Sequence, residues 1–260
     1  MKTHKWIIIL SFISTIAFFG AKESYRKNGV ISQKDLKICE LEKKMNIFNT
    51  ITDSIERVDN TKKAKKFNFV FNSMKKYNPD IDKETVSLFI SVTEKFNLDS
   101  TELLFNTCLS QILKESGAQQ YYCSTHPKAG ELVVSSSKAI GISQITIATC
   151  YDYLKSSYNS NDSLILLNLG CDDFSFIKNN DYPDIKDNLF KWLKNEKNNI
   201  ILWGYIMKKS LIKRNGNLKY ALISYNRGPE YLIDFMTNGF KPESHNYVKQ
   251  IKKIRLALGA

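Results

Sequence analysis

A glutamate closes an apolar helical stripe in the stretch NLDSTELLFNTCLSQILKESG. Phe105, Cys108, Ile112 and Glu115 follow one another at +3, +4 and +3, so the carboxylate stands in line with side chains that face a core. Such a carboxyl has two fates. As the exposed last turn of a core helix it does nothing chemical. Held against apolar neighbours, its charged form is disfavoured, its pKa rises, and it can deliver a proton near neutral pH. Periodicity by itself favours the first.

The elements that would position it read as helices almost throughout. Helical stretches are expected at 34–47 and 60–77, with a break at NPDID, then a helix that Asp82 can cap. Asp99 or Ser100 is expected to cap a helix over 101–115, ended by Gly117. Residues 118–137 form a long irregular connection, and helical periodicity resumes from Ile142 to Leu154. Residues 156–184 are polar and rich in Asn and Asp. Helices follow at 186–195, 198–213 and 217–225, the last stopped at Asn226-Arg227-Gly228-Pro229. Another begins near 230, and a basic amphipathic helix covers about 244–257. No strand of any length and no repeat appears, so the expected fold class is all-α.

Composition sets the surroundings. The basic MKTHK precedes an apolar run from Trp6 to Gly20, followed by Ala21 and the charged KESYRK. That run is short for a membrane span and suits a secretory signal, expected at 1–21; left uncleaved, it would anchor the chain at the inner membrane. The net charge of +12 becomes +10 without Lys2 and Lys5. In an exported protein this bias favours an anionic surface, wall polymer or membrane. Runs such as KKAKK at 62–66 match no nucleic-acid-binding pattern, so no nucleic acid is expected as a partner. The spacing of Cys39, Cys108, Cys123, Cys150 and Cys171 suits no metal cluster, and no metal or organic cofactor is implied. Outside the cytoplasm a disulfide among Cys123, Cys150 and Cys171 is expected, with its pairing open.

Four features then occur in order: Glu115-Ser116 ending an apolar helix; Ser135 followed by Lys138-Ala139 and Gly141-Ile142-Ser143-Gln144-Ile145, with Thr149 beyond; Asn199-Ile200 on a helix; and Ala221, Tyr225, Asn226 and Gly228 before a basic C-terminal helix. Over roughly 86–258 this set resembles the soluble lytic transglycosylase catalytic domain, a goose-type lysozyme-like fold. His245-Asn246-Tyr247-Val248 is similar to that family's terminal His-x-Tyr-Val. The resemblance implies a lytic transglycosylase-like domain at 86–260, preceded by a helical N-terminal region at 22–85 of unassigned role. Three departures stand out. The interval from Glu115 to Gln144 is 29 residues, longer than the compact family pattern; Lys138 occupies a usual glycine; and Trp203 stands where glycine is expected, with Gly204 one place later.

The resemblance also implies a reaction. Glu115 would protonate the glycosidic oxygen between N-acetylmuramic acid and N-acetylglucosamine in peptidoglycan glycan strands. It would then act as base for the muramoyl C6 hydroxyl, which closes on C1 to give a 1,6-anhydro end without water. Tyr225 would position the carboxyl or the sugar, Asn226 would bond backbone at the helix end, and Gln144 and Ser135 would hold substrate. Tyr121 and Tyr122, in the extended loop, are candidates for stacking on sugar. Ser116, Gly141, Thr149 and Gly228 would shape the site. Two alternatives stay open: a goose-type muramidase that positions water with Asp172 or Asp173, and a non-catalytic wall-binding component of a secretion or division machine. A periplasmic location follows from the export signal.

Overall fold

The computed structural model describes residues 31–160 and 162–259. The expected signal or anchor at 1–21 lies outside them. The chain divides into two compact units, Met1–Lys63 and Ala64–Ala260. All regular structure among the described residues is helical apart from isolated bridges, in line with an all-α chain. No helix among the described residues is long and apolar enough to cross a membrane.

Helix α1 runs over Ile31–Lys75, where two separate helices were expected. Neither glycine nor proline interrupts it. Polar residues along it bond back onto the helix: the Thr50, Ser54 and Thr61 hydroxyls each donate to the carbonyl four residues earlier. It stops before Asn78-Pro79, where the proline ring disfavours helix for the residue ahead of it. The unit beginning at Ala64 therefore includes the last turns of α1, whose Val70 and Met74 are fully buried.

In that unit α2 (Lys83–Lys95) is capped by Asp82, whose carboxylate accepts from Thr85 N. Helix α3 (Glu102–Ser116) is capped by Thr101 rather than Asp99 or Ser100. Thr101 is extended and its hydroxyl accepts from Leu104 N at 3.1 Å, satisfying one of the free first-turn amides. Gly117 ends α3 in the left-handed region at φ 69°, its N–H returning to Leu113 O. After the irregular connection come α4 (Ile147–Asn159), α5 (Ser163–Asn168), α6 (Lys186–Leu193), α7 (Glu196–Lys213), α8 (Leu218–Arg227), α9 (Pro229–Thr237) and α10 (Asn246–Ala257).

Helix α7 lies at the centre, with Ile200, Ile201, Leu202 and Trp203 all buried. It packs against α2, α6 and α8, and α10 packs along α3. Trp203 stacks on Phe89 at 5.4 Å between ring centroids and donates its indole N–H to Gln111 Oε1 at 3.2 Å. The shift of glycine from 203 to 204 has a steric reason. A Cβ at Gly204 would lie 2.3 Å from Val92 Cγ1 and 2.9 Å from Phe96, so this position is where α7 and α2 touch.

The expected helix start at Ile142 is corrected to Ile147. Gly141 (φ 73°) and Gln144 (φ 53°) are both left-handed, and that geometry breaks a right-handed helix. The expected disulfide is corrected too. Cys123, Cys150 and Cys171 are free, buried thiols, as is Cys108. Cys150 is fully enclosed in the first turn of α4, while Cys123 contacts the Thr125 hydroxyl at 3.3 Å. Burial pushes the Cys171 thiol up to about 12 and raises that of Cys150, which keeps both protonated and unreactive.

Candidate active site

Glu115 occupies the last turn of α3, held there by the stripe beneath it. Phe105, Cys108, Leu109, Ile112 and Leu113 are buried. Each such apolar side chain stabilises by roughly 1.5–3 kcal/mol. Together they outweigh the penalty of keeping one carboxyl half-buried at the helix end. That penalty appears as chemistry: burial pushes Glu115 from 4.5 to about 7. A hydrogen bond from Tyr247 and the nearby Lys114 ammonium pull the other way without cancelling it. Glu115 is therefore substantially protonated at neutral pH, the condition a general acid needs.

The partner of the carboxyl is Tyr247 on α10, whose hydroxyl donates to Glu115 Oε1. Burial and the adjacent carboxylate raise the Tyr247 hydroxyl well above a free phenol, so it stays a donor. Tyr225 was expected in this role and is close enough for Glu115 to raise its own hydroxyl. Its hydrogen bond, however, goes to Ser143 O at 2.6 Å. Tyr225 thus ties α8 to the turn that forms the opposite wall. Tyr247 was legible only in the His-x-Tyr-Val match, which assigned it no contact.

That wall, residues 140–145, is fastened from three sides. Ser116 Oγ donates to Ile142 O at 2.6 Å and accepts from Gln119 N at 3.0 Å, so the residue beside the acid is a brace. The Gln120 side chain accepts from Ile142 N at 2.9 Å and donates to the carbonyls of Leu193 and Lys194. Asn199, on α7, accepts from Ser143 N at 3.0 Å and donates to Ile140 O at 3.0 Å. Gly141 is required here, because a Cβ would stand 2.2 Å from Gln120 Oε1. Gln144 lines the cleft, with its amide turned back onto Gly141 O at 2.8 Å.

Two connected hollows of about 720 Å³ and 590 Å³ share Lys114, Glu115, Asn226, Arg227 and Tyr231. Glu115 therefore sits at the junction of a cleft that continues on either side of it. The first arm is lined by Ser135, Gln144, Thr149, Tyr225 and Gly228, together with Asp152 and Tyr153. The second is lined by Phe235, Phe240, His245 and Tyr247. Ser135 also closes its own turn, its hydroxyl accepting from Ala139 N at 3.1 Å. Thr149 caps α4 with Thr146, their hydroxyls 2.9 Å apart. Gly228, at φ 87°, ends α8 and starts α9.

Several expected placements do not hold. Tyr121 and Tyr122 line neither arm: the exposed Tyr121 donates to Lys194 O at 3.2 Å, tying the long loop to the end of α6, and Tyr122 stacks on His126 within the loop at 4.1 Å. Asn226 is exposed at the junction and, among the described residues, makes no side-chain hydrogen bond to the helix end. Asp172 accepts from the Asn195 and Asn198 amides, and Asp173 from the Ser175 hydroxyl, so both serve structure outside the cleft. Sequence reasoning missed Asp152, the second carboxylate in the cleft, whose pKa burial raises. It also missed Arg227, which lies 4.9 Å over the Tyr231 ring. Among the described residues no cluster of His, Cys, Asp and Glu could hold a metal ion.

A separate groove of about 750 Å³ is lined by Leu103, Leu222, Val248, Lys219, Lys249 and Arg255 among others, and shares no residue with the cleft. Its one carboxylate, Glu243, pairs with Lys219, which holds it below its ordinary value. It offers no acid near neutrality. No protein-family model, curated protein or solved structure matches this chain, and its site is read from its own geometry.

Proposed function

We propose that this protein is a peptidoglycan lytic transglycosylase of goose-type lysozyme-like fold, cleaving the bond from N-acetylmuramic acid to N-acetylglucosamine. The single observation that carries the reading is Glu115, a half-buried carboxyl at about 7, at the junction of a cleft open on both sides. A polymer can lie across that junction with sugar on each side of the scissile bond. Protonated Glu115 gives its proton to the leaving oxygen. The resulting carboxylate, still hydrogen-bonded by Tyr247, takes the proton of the muramoyl C6 hydroxyl as that oxygen closes on C1. Atoms balance without water, and the product carries a 1,6-anhydro end.

Lys114 and Arg227 at the junction suit a substrate bearing carboxylates, as muramoyl lactyl groups and their peptides do. Tyr231, Phe235 and Phe240 on the second arm offer flat apolar faces to sugar rings. Export by residues 1–21 would bring the enzyme to the periplasm, freely or at the inner membrane, where a wall-spanning secretion or division machine could use it. The test is solubilisation of purified wall sacculi. Wild type is expected to release soluble fragments and Glu115→Gln to lose the activity by at least about 100-fold; equal release by the two would remove Glu115 from the role.

One observation favours a second reading. Asp152 lines the cleft with Glu115, so a hydrolase could use it to position water. The hydrolytic alternative rests on this residue, because Asp172 and Asp173 are engaged elsewhere.

A further inference from the structure

Within α1 the apolar residues keep a heptad rhythm. Ile38, Leu41, Met45, Phe48, Thr52 and Ile55 follow at intervals of 3, 4, 3, 4 and 3, the a and d positions of three heptads. Only Thr52 is polar. Ile38, Leu41, Met45 and Ile55 are each between 43% and 52% exposed, and Ile51 and Val58, flanking the seam at g, are exposed at 52% and 54%. Helices owe most of their stability to packing of an apolar face. An exposed stripe of aliphatic side chains this long marks an interaction surface.

The charges beside the seam say what covers it. The e positions hold Glu42, Asn49 and Glu56; the g positions hold Lys37, Lys44, Ile51 and Val58. In an antiparallel pair e meets e and g meets g with the ends reversed, so with the seam fully overlapped Lys37 faces Val58, Lys44 faces Ile51 and Glu42 faces Asn49, and none of these flanking pairs joins opposite charges. In a parallel pair each g meets the partner's next e, so Lys37 meets Glu42, Lys44 meets Asn49 and Ile51 lies along the stem of Glu56. Both Lys37–Glu42 contacts are then attractive and no like charges meet. Lys44 also holds Glu40 within its own helix at 2.7 Å, which leaves the seam clear. A second copy of the same helix supplies the matching apolar stripe and the matching charges.

We infer that residues 38–58 form a parallel, in-register coiled coil with a second copy of this chain. The catalytic reading plays no part in this inference.

Sedimentation equilibrium of the whole chain tests it. Wild type should sediment at twice the 30.0 kDa chain mass. Leu41→Lys with Met45→Lys should give monomer, with helix content by circular dichroism retained because both side chains are on the surface. Lys37→Glu alone should weaken the dimer about tenfold, and adding Glu42→Lys should restore it, as only a parallel homodimer requires. Monomeric wild type, a dimer indifferent to the seam lysines, or failure of the double charge swap to restore association would each overturn the proposal.

Discussion

The Tyr247 hydroxyl, carried on α10, donates to Glu115 Oε1 at the end of α3. Two opposed influences meet at that bond. Burial raises the carboxyl toward neutrality, and the hydrogen bond, which favours the charged form, limits the rise. An acid that must give a proton and then take one back is served by such a balance.

Removing the bond should shift the balance one way. Tyr247→Phe withdraws a donor from the carboxylate, so Glu115 should titrate higher still. The alkaline limb of the pH–activity profile should move up by roughly one pH unit, measured as sacculus solubilisation between pH 5 and pH 9. Movement of the limb to lower pH would show that Tyr247 acts otherwise.

Glu115 should also weaken the fold at alkaline pH. Its folded-state pKa of about 7 stands above the ordinary 4.5. The wild type therefore has its full stability below about 4.5 and loses it as pH rises through 7. Glu115→Gln should match wild type in urea unfolding at pH 4 and exceed it by roughly 2–3 kcal/mol at pH 8. Equal stabilities at pH 8 would mean the carboxyl is not strained by burial.

Asp152 separates the two chemistries. If the C6 hydroxyl is the nucleophile, Asp152→Asn should lower turnover less than about tenfold and leave the product unchanged. If Asp152 activates water, the loss should reach roughly 100-fold or more. Turnover and product ends measured on one digest distinguish the cases.

The 140–145 wall and the turn just before it can be probed at two left-handed positions, Gly141 and Lys138, with opposite outcomes. Gly141→Ala puts a methyl into Gln120, itself fixed by Leu193, Lys194 and Ile142, and should cost roughly 2–4 kcal/mol with loss of activity. Lys138, at φ 60° on an exposed turn, carries backbone strain that glycine lacks. Lys138→Gly should be neutral or stabilise by up to about 1 kcal/mol. Thermal unfolding of both variants checks the pair.

How far the sequence could be read depended on the range of the interactions. The end of α3 was legible because Gly117 and the stripe from Phe105 to Glu115 are local signals. Asp82 and Gly228 were legible for the same reason. Helix α1 was expected as two stretches, 34–47 and 60–77, yet the polar Thr50 and Ser54 between them bond back onto one continuous helix. The partner of Glu115 was assigned to Tyr225 because sequence order brings both to the cleft but cannot say which hydroxyl reaches which oxygen. That choice is made by how α10 lies against α3, across 132 residues of chain. Asp152 was missed because it sits on an unremarkable helix face, and only the fold of the wall turns that face into the cleft. Tyr121 and Tyr122 misled because aromatic type says nothing of direction.

In the proposed reaction Glu115 delivers a proton and then recovers one from the sugar itself. Mass spectrometry of the fragments released from sacculi by wild-type protein, with Glu115→Gln as control, measures this most directly. The prediction is muramoyl ends one water lighter than hydrated ends, absent from the Glu115→Gln digest. Fragments bearing only hydrated, reducing ends would contradict it.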